Sequence, residues 1–305
     1  MPERGNNTAS VSPFPSREGG SGVRSAQIHL LLLGRVEYGE AWALQRRLAA
    51  ARRAHEIEDV LILVEHPHVY TLGRRADEAH VLADSARLEA IGATLVRIDR
   101  GGDVTYHGPG QLVGYPILDL KVRGADVHQY VHDLEETIIR TLAGYGISGY
   151  RLAGYPGVWV GEEKAAAIGV KVAHWVTSHG FALNVDPDLA YFGEIVPCGL
   201  HDRVVTSMSR LLGRKVDVEE VIQTLAARFG EVFECEVEPS TVAQLLPEVR
   251  KTADPAFEAA SPPWLQKEGR NESAFADHGD EPSAPHQIAR RGHAVVQDGL
   301  SARRT

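Results

Sequence analysis

Five consecutive apolar residues, Val60-Leu61-Ile62-Leu63-Val64, stand between two carboxylates, Asp59 and Glu65. An unbroken apolar run of this length reads as a strand buried in a sheet. It falls far short of the ~20 residues that cross a bilayer. Helical patterning surrounds it. Residues 39–54 place Trp42, Leu44 and Leu48 on one face and Arg46, Arg47, Arg52 and Arg53 on the other. Asp126 stands where it can N-cap a second helix through Val127, Tyr130, Val131, Leu134, Ile138 and Leu142, which closes near Gly144 and Gly146. Asp217, with Glu220 three residues later, has capping-box spacing for a third helix that runs to Phe229. Residues 94–99, 158–160, 165–172 and 181–185 read as further strands. Strands and helices interleave without a regular βαβ rhythm, so the expected fold class is α+β.

Composition divides the chain. Residues 1–25 carry twelve Gly, Pro or Ser and no apolar stretch of signal-peptide length, and are expected to form a flexible arm. In residues 251–305 the apolar content thins and no periodicity lasts, so a disordered tail is expected. The folded core is then residues 26–250, a single domain without internal repeats. A formal net charge of −9, from 41 acidic and 32 basic side chains, argues against a general nucleic-acid binder. Two cysteines, Cys198 and Cys235, cannot staple a disulfide scaffold or build a four-cysteine zinc site. With no membrane span expected either, the reading is a soluble, cytoplasmic protein, and nothing demands more than a monomer.

Three segments can carry chemistry. Arg100-Gly-Gly-Asp-Val-Thr-Tyr-His-Gly-Pro-Gly-Gln111 holds four glycines and a proline in twelve residues, too many for the interior of a regular strand or helix. Glycine lets backbone approach a ligand closely, and Arg100, Thr105, His107 and Gln111 offer directed polar contacts; a plain surface loop is the alternative. The run matches neither the phosphate-loop nor the dinucleotide fingerprint. The second segment is Lys164-Ala-Ala-Ala-Ile-Gly169 and the third Val196-Pro-Cys-Gly199. A cysteine between proline and glycine sits on a turn whose amides can face a bound carbonyl. The thiolate is the nucleophile and a nearby ammonium favours it, while a desolvated lysine can serve as a base. Taken alone, Cys198 reads more readily as a small buried hydrophobe and Lys164 as a solvated strand-end charge. His66 and His68 flank a proline with no third ligand cluster nearby, which favours a loop role over a metal pair. His179 suits either an orienting or a structural role. Cys235 has no supporting motif, and Trp159 and Trp175 read as packing residues.

Together these segments, with Ser178-His-Gly-Phe-Ala-Leu-Asn184 and His66-Pro-His-Val-Tyr-Thr-Leu-Gly-Arg74, resemble the lipoyl(octanoyl) transferases in order and spacing, from about Ile28 to Phe233. The resemblance implies a mixed sheet flanked by helices, as in the biotin and lipoate protein ligases. It implies that Cys198 forms an acyl-thioester and that Lys164 lowers its pKa and moves protons; Lys171 lies beyond the matching position. Arg100, Gly101, Gly102, Asp103, Val104, Thr105, Tyr106 and His107 would line the acyl and carrier site. Ala167, Ile168, Gly169, Gly180, Phe181 and Ala182 would wall the substrate pocket. The implied donor is octanoyl-acyl carrier protein. The implied acceptors are lipoyl domains of 2-oxoacid dehydrogenase complexes and the glycine cleavage H protein.

No cofactor, ATP or metal is expected: exchange of one thioester for another is nearly level, and amide formation from a thioester runs downhill. An acidic carrier calls for a local basic patch on this acidic chain. Arg46, Arg47, Arg52, Arg53, Arg74 and Arg75 are candidates, against the plainer view of solvated charges. Two rival readings stand beside this one. An ATP-dependent lipoate or biotin ligase on the same fold would not need the cysteine, and a non-catalytic carrier-protein binding module would only hold the acyl chain.

Overall fold

The computed structural model describes residues 26–196 and 205–247. Strand β1 (Ala26–Arg35), helix α1 (Tyr38–Arg53), β2 (Asp59–Glu65), β3 (Val69–Leu72), the short helix α2 (Ser85–Ala90), β4 (Thr94–Arg97), β5 (Val104–His107) and β6 (Gln111–Ile117) form the first half. Helix α3 (Val127–Ala143) leads to the strands β7 (Tyr150–Leu152), β8 (Tyr155–Val160), β9 (Glu163–Ala173) and β10 (Val176–Asn184). Beyond residue 204 follow α4 (Met208–Leu212), α5 (Val218–Val232), β11 (Cys235–Pro239) and α6 (Val242–Leu245). Eight strands pair in the order β11-β1-β2-β6-β10-β9-β8-β7, and β4-β3-β5 make a second, small sheet. The large sheet is mixed, with β1 parallel to both β11 and β2 and the remaining pairs antiparallel. This is the expected α+β architecture.

Burial on both faces explains the unalternating run in β2. Leu61 and Leu63 turn toward a cluster built with Leu134, Ile138 and Leu142 of α3 and Val221, Leu225 and Phe229 of α5. Val60, Ile62 and Val64 turn the other way, against Ala41, Leu44 and Leu48 of α1 and Leu245 of α6. Every residue from Asp59 to Val64 is buried, so no polar position is left to alternate.

Several local expectations meet a different outcome. The helical pattern puts Arg52 on the solvated face of α1. Arg52 is instead buried, its Nε 2.7 Å from Asp59 Oδ1, because that carboxylate opens β2 beneath the helix and needs a counter-charge. Asp217 does precede α5, but its side chain makes no cap. Lys215 takes the Asp217 carboxylate at 2.9 Å and Arg214 takes Glu220 at 2.9 Å, so the reciprocal box never closes. A capping box does form where none was expected, between Thr241 and Gln244 of α6. The glycine-rich run is not wholly loop, since Val104–His107 pairs in register with β3. The terminal segments 1–25 and 248–305 lie outside the described residues.

Candidate active site

Strands β6, β10 and β9 of the large sheet, β5 of the small sheet and the start of α1 enclose a cavity of about 410 Å³. Of the residues that sequence reasoning put at a site, Arg100, Gly101, Gly102, Asp103, Val104, Thr105 and His107 line it from one side. Lys164, Ala167, Ile168, Gly169, Gly180, Phe181 and Ala182 line it from the other. Tyr106 turns away; its hydroxyl shares a hydrogen bond with His68 Nδ1 at 2.7 Å and its ring stacks on Tyr191. Cys198 lies outside the described residues, between Val196 and Val205 in sequence.

The floor is backbone. Gly180 pairs with Gly169 across β10 and β9, and Phe181 pairs with Gly114 of β6. A Cβ at Gly180 would stand 2.2 Å from the Gly114 carbonyl oxygen, and one at Gly114 would stand 2.1 Å from Phe181 Cζ. These strands cross so closely that only glycine fits at those two points.

Over this floor the loop of residues 99–103 is tied down at several places. Gly101 N–H donates to Val170 O at 2.9 Å. The Arg100 guanidinium, 7% exposed, donates through Nη2 to Thr71 O and Oγ1 at 2.7 and 2.9 Å. Asp103 accepts from His80 Nδ1 at 2.6 Å. Asp99 accepts from His179 Nε2 at 2.8 Å and pairs with Lys171. The His179 hydrogen bond, followed by Lys171, holds the Asp99 carboxyl well below the usual range. His179 is buried and adopts φ 54° in the middle of β10, a left-handed conformation uncommon outside glycine. Its N–H donates to Gln45 Oε1 at 2.8 Å, which turns that polar amide toward α1 instead of the ladder.

Burial disfavours the charged form of three histidines near the cavity. Burial lowers His66 to about 4 and His107 to about 3, and it lowers His179 in spite of Asp99. Their tautomers follow from their partners. His66 Nδ1 donates to Val36 O at 2.7 Å, so Nε2 accepts from the Tyr115 hydroxyl at 2.7 Å. Gln111 Nε2 donates to Asn184 Oδ1 at 2.8 Å, which leaves Gln111 Oε1 to accept from His107 Nδ1 at 2.7 Å. The inner end of the cavity is thus hydrogen-bonded but carries little charge, apart from Arg100. Tyr38 and Tyr115 complete it. Sequence reading missed both, because they come from α1 and β6 and no local motif joins them.

Lys164 lies at the other end of β9. Its Nζ donates to Pro156 O at 3.2 Å and stands 4.8 Å from the centre of the Trp159 ring. Its backbone carbonyl accepts from Thr206 N–H at 3.0 Å, and Val205 bridges to it. Among the described residues no group of three or more His, Cys, Asp or Glu side chains could hold a metal ion. His66 and His68 instead hold tyrosine hydroxyls. No helix of the described residues is long and apolar enough to cross a membrane.

The model of the lipoyl protein ligase A/B catalytic domain matches residues 37–230. The octanoyltransferase of Chloroflexus aurantiacus is 53% identical over 217 residues, which is 70% of this chain and 96% of that protein. Those of Rubrobacter xylanophilus and Gloeobacter violaceus are also 53% identical, over 66% and 70% of this chain and 91% and 93% of theirs. Among solved structures, lipoate-protein ligase A bound with ATP superposes with a TM-score of 0.61 at 18% identity, covering 76% of this chain and 94% of that one. A bipartite lipoate protein ligase from Thermoplasma acidophilum gives 0.59 at 17%, over 76% and 92%. At such identities the likeness is one of fold.

Proposed function

Because the chain belongs to the octanoyltransferases, within the lipoyl protein ligase A/B catalytic-domain family, and so transfers octanoyl groups for protein lipoylation, we propose that it does so through an acyl-thioester on Cys198, with Lys164 as the proton partner. The position of Lys164 carries this reading: an amine on the cavity wall, hydrogen-bonded to Pro156 O and beside Val205, seven residues after Cys198.

The proposed donor is octanoyl-acyl carrier protein. In the first step the Cys198 thiolate attacks the donor's thioester carbonyl. The carrier's sulfur leaves as a thiolate and takes a proton from the Lys164 ammonium, so a neutral lysine now faces an acyl-enzyme. In the second step the neutral amine of an acceptor lysine, on a lipoyl domain, attacks that thioester. Lys164 takes the proton the new amide loses, and Cys198 departs as the thiolate that the restored ammonium stabilises. Both ends of the cycle carry the same charges, and no step calls for ATP or a metal. Arg100, Asp103, Thr105 and His107 hold the loop side of the acyl slot, while Ala167, Gly169, Gly180 and Ala182 leave room for the chain over the glycine floor.

Intact-mass measurement after incubation with octanoyl carrier protein tests the intermediate. One octanoyl group added to the chain, removed by a lipoyl domain and absent in Cys198→Ser, is the expected result. An adduct that persists in Cys198→Ser would place the acyl group elsewhere. ATP–pyrophosphate exchange driven by free octanoate, by contrast, would favour ligase chemistry on this fold.

A further inference from the structure

We propose that Trp159 is a positioning residue for the transfer reaction: its indole face, brought opposite Lys164 by a β-bulge in β9, fixes the Lys164 ammonium at the cavity wall and favours its charged form. The inference rests on Lys164 as the proton partner and names one contact that acts on that lysine. Gly157 pairs with Ala167 and Val158 with Ala166, so an unbroken ladder would set Trp159 against Ala165 and turn Lys164 to the opposite face. The register instead shifts by one, and Trp159 pairs with Lys164. Ala165 is the extra residue, and both it and Ala166 are fully buried in the core. Directly opposed residues project to one face of a sheet, which brings Nζ to 4.8 Å from the ring centre.

The ring itself is held. Trp159 is 1% exposed, and its indole N–H donates to Tyr155 O at 3.2 Å. Pro156 O takes a hydrogen bond from Nζ at 3.2 Å, so β8 supplies both sides of the clamp. Gly157 makes room for it: a Cβ there would stand 2.4 Å from Ala166 O and 3.4 Å from Lys164 Cε, at φ 129°. The negative face of the ring attracts an ammonium and not a neutral amine. Among the described residues, three carboxylates near the clamp are held by partners of their own. Glu135 of α3 pairs with Arg151 of β7 and accepts from Gly157 N–H. Glu163 pairs with Arg210 of α4, and across the cavity Asp103 pairs with His80. The clamp therefore draws Lys164 back to its charged form each time it gives up a proton, which strengthens its pull on the acceptor amine.

The test compares Trp159→Leu and Trp159→Phe in the full chain. Two quantities are followed against pH: kcat and KM for octanoyl transfer, and the rate of Cys198 alkylation mapped by mass. Cys235 is separable in the same maps, since burial pushes its thiol up to about 11. In Trp159→Leu, kcat is expected to fall roughly three- to thirtyfold with little change in KM, and the alkylation profile to move to higher pH. Trp159→Phe, which keeps an aromatic face, should recover most of both. Equal effects of Phe and Leu, or an unshifted profile in Leu, would overturn the proposal. Should Leu fail to fold, the unmodified chain still decides. A ring-facing lysine gives side-chain methylene signals shifted upfield in NMR spectra and lost in Lys164→Arg, and their absence overturns the clamp. Unchanged turnover in Lys164→Ala would instead remove the underlying assignment, whatever Trp159 does.

Discussion

Replacing Lys164 with alanine takes away the ammonium at the cavity wall and the group that moves protons in both proposed steps. Octanoyl transfer should fall by ~10²–10⁴, read as kcat with saturating donor, and unchanged turnover would exclude the dyad. The buried histidines act on stability instead. His66 and His107 are held near 4 and 3 in the folded chain, against ~6.5 when unfolded. Their neutral, hydrogen-bonded state is therefore fully favourable above about pH 6.5. As pH falls toward those folded values the unfolded chain binds protons that the folded one refuses, at a cost of up to about 1.4 kcal/mol per pH unit for each histidine. Denaturant midpoints should drop steadily from pH 7 to pH 5 and level in a His66→Gln, His107→Gln chain; a flat wild-type profile would contradict this. At this scale Lys164 and the run from Arg100 to His107 are legible in the sequence because their chemistry is packed into contiguous motifs. Tyr38, Tyr115 and the Asp99–His179 pair are not, because their meaning comes from partners as far apart as 141 residues.

Elements carry a second layer of information that pattern alone delivers unevenly. The helix opened by Asp126 is legible because the cap is local, and the Asp126 side chain does accept from His128 and Gln129 N–H groups. The β9–β10 hairpin is harder to read. Its turn residues His174 and Trp175 both take positive φ without a glycine, at 53° and 68°. The bulge that aims Lys164 is invisible in periodicity, since Ala165 and Ala166 look like two ordinary apolar residues. The glycine floor gives a contrast that can be measured. Gly180→Ala drives a methyl into the Gly114 carbonyl, a backbone atom that cannot yield, so a loss of about 1–3 kcal/mol is expected in chemical denaturation. A Cβ at Gly169 would stand 2.9 Å from Arg100 Cδ and 3.1 Å from the Gly101 carbonyl oxygen, a milder clash that falls on the loop over the cavity, so Gly169→Ala should cost less stability and act on KM for the acyl donor. Equal destabilisation by the two would show that the floor is softer than its geometry implies.

Across the whole molecule, a net charge of −9 means that the proposed donor, an acidic carrier protein, would have to be met locally. Of the arginines proposed for that role, Arg52 is committed to Asp59 in the core, while Arg74 and Arg75 are exposed on a loop hydrogen-bonded to the Arg100 and Gly102 carbonyls. Arg75 also lines the cavity. Charge reversal at both should raise KM for a carrier-bound donor several-fold at low salt, and the difference should shrink near 1 M salt, where screening acts over ~3 Å. An unmoved KM would assign docking to another face. The sheet order has a practical consequence. Lys164 sits on β9, five strand steps from β11 at ~4.8 Å each, or roughly 24 Å, and Ala26 pairs with Cys235 on that far edge. An affinity handle or surface tether joined at Ala26 in place of residues 1–25 would therefore hold the protein by the margin opposite the strand that carries Lys164.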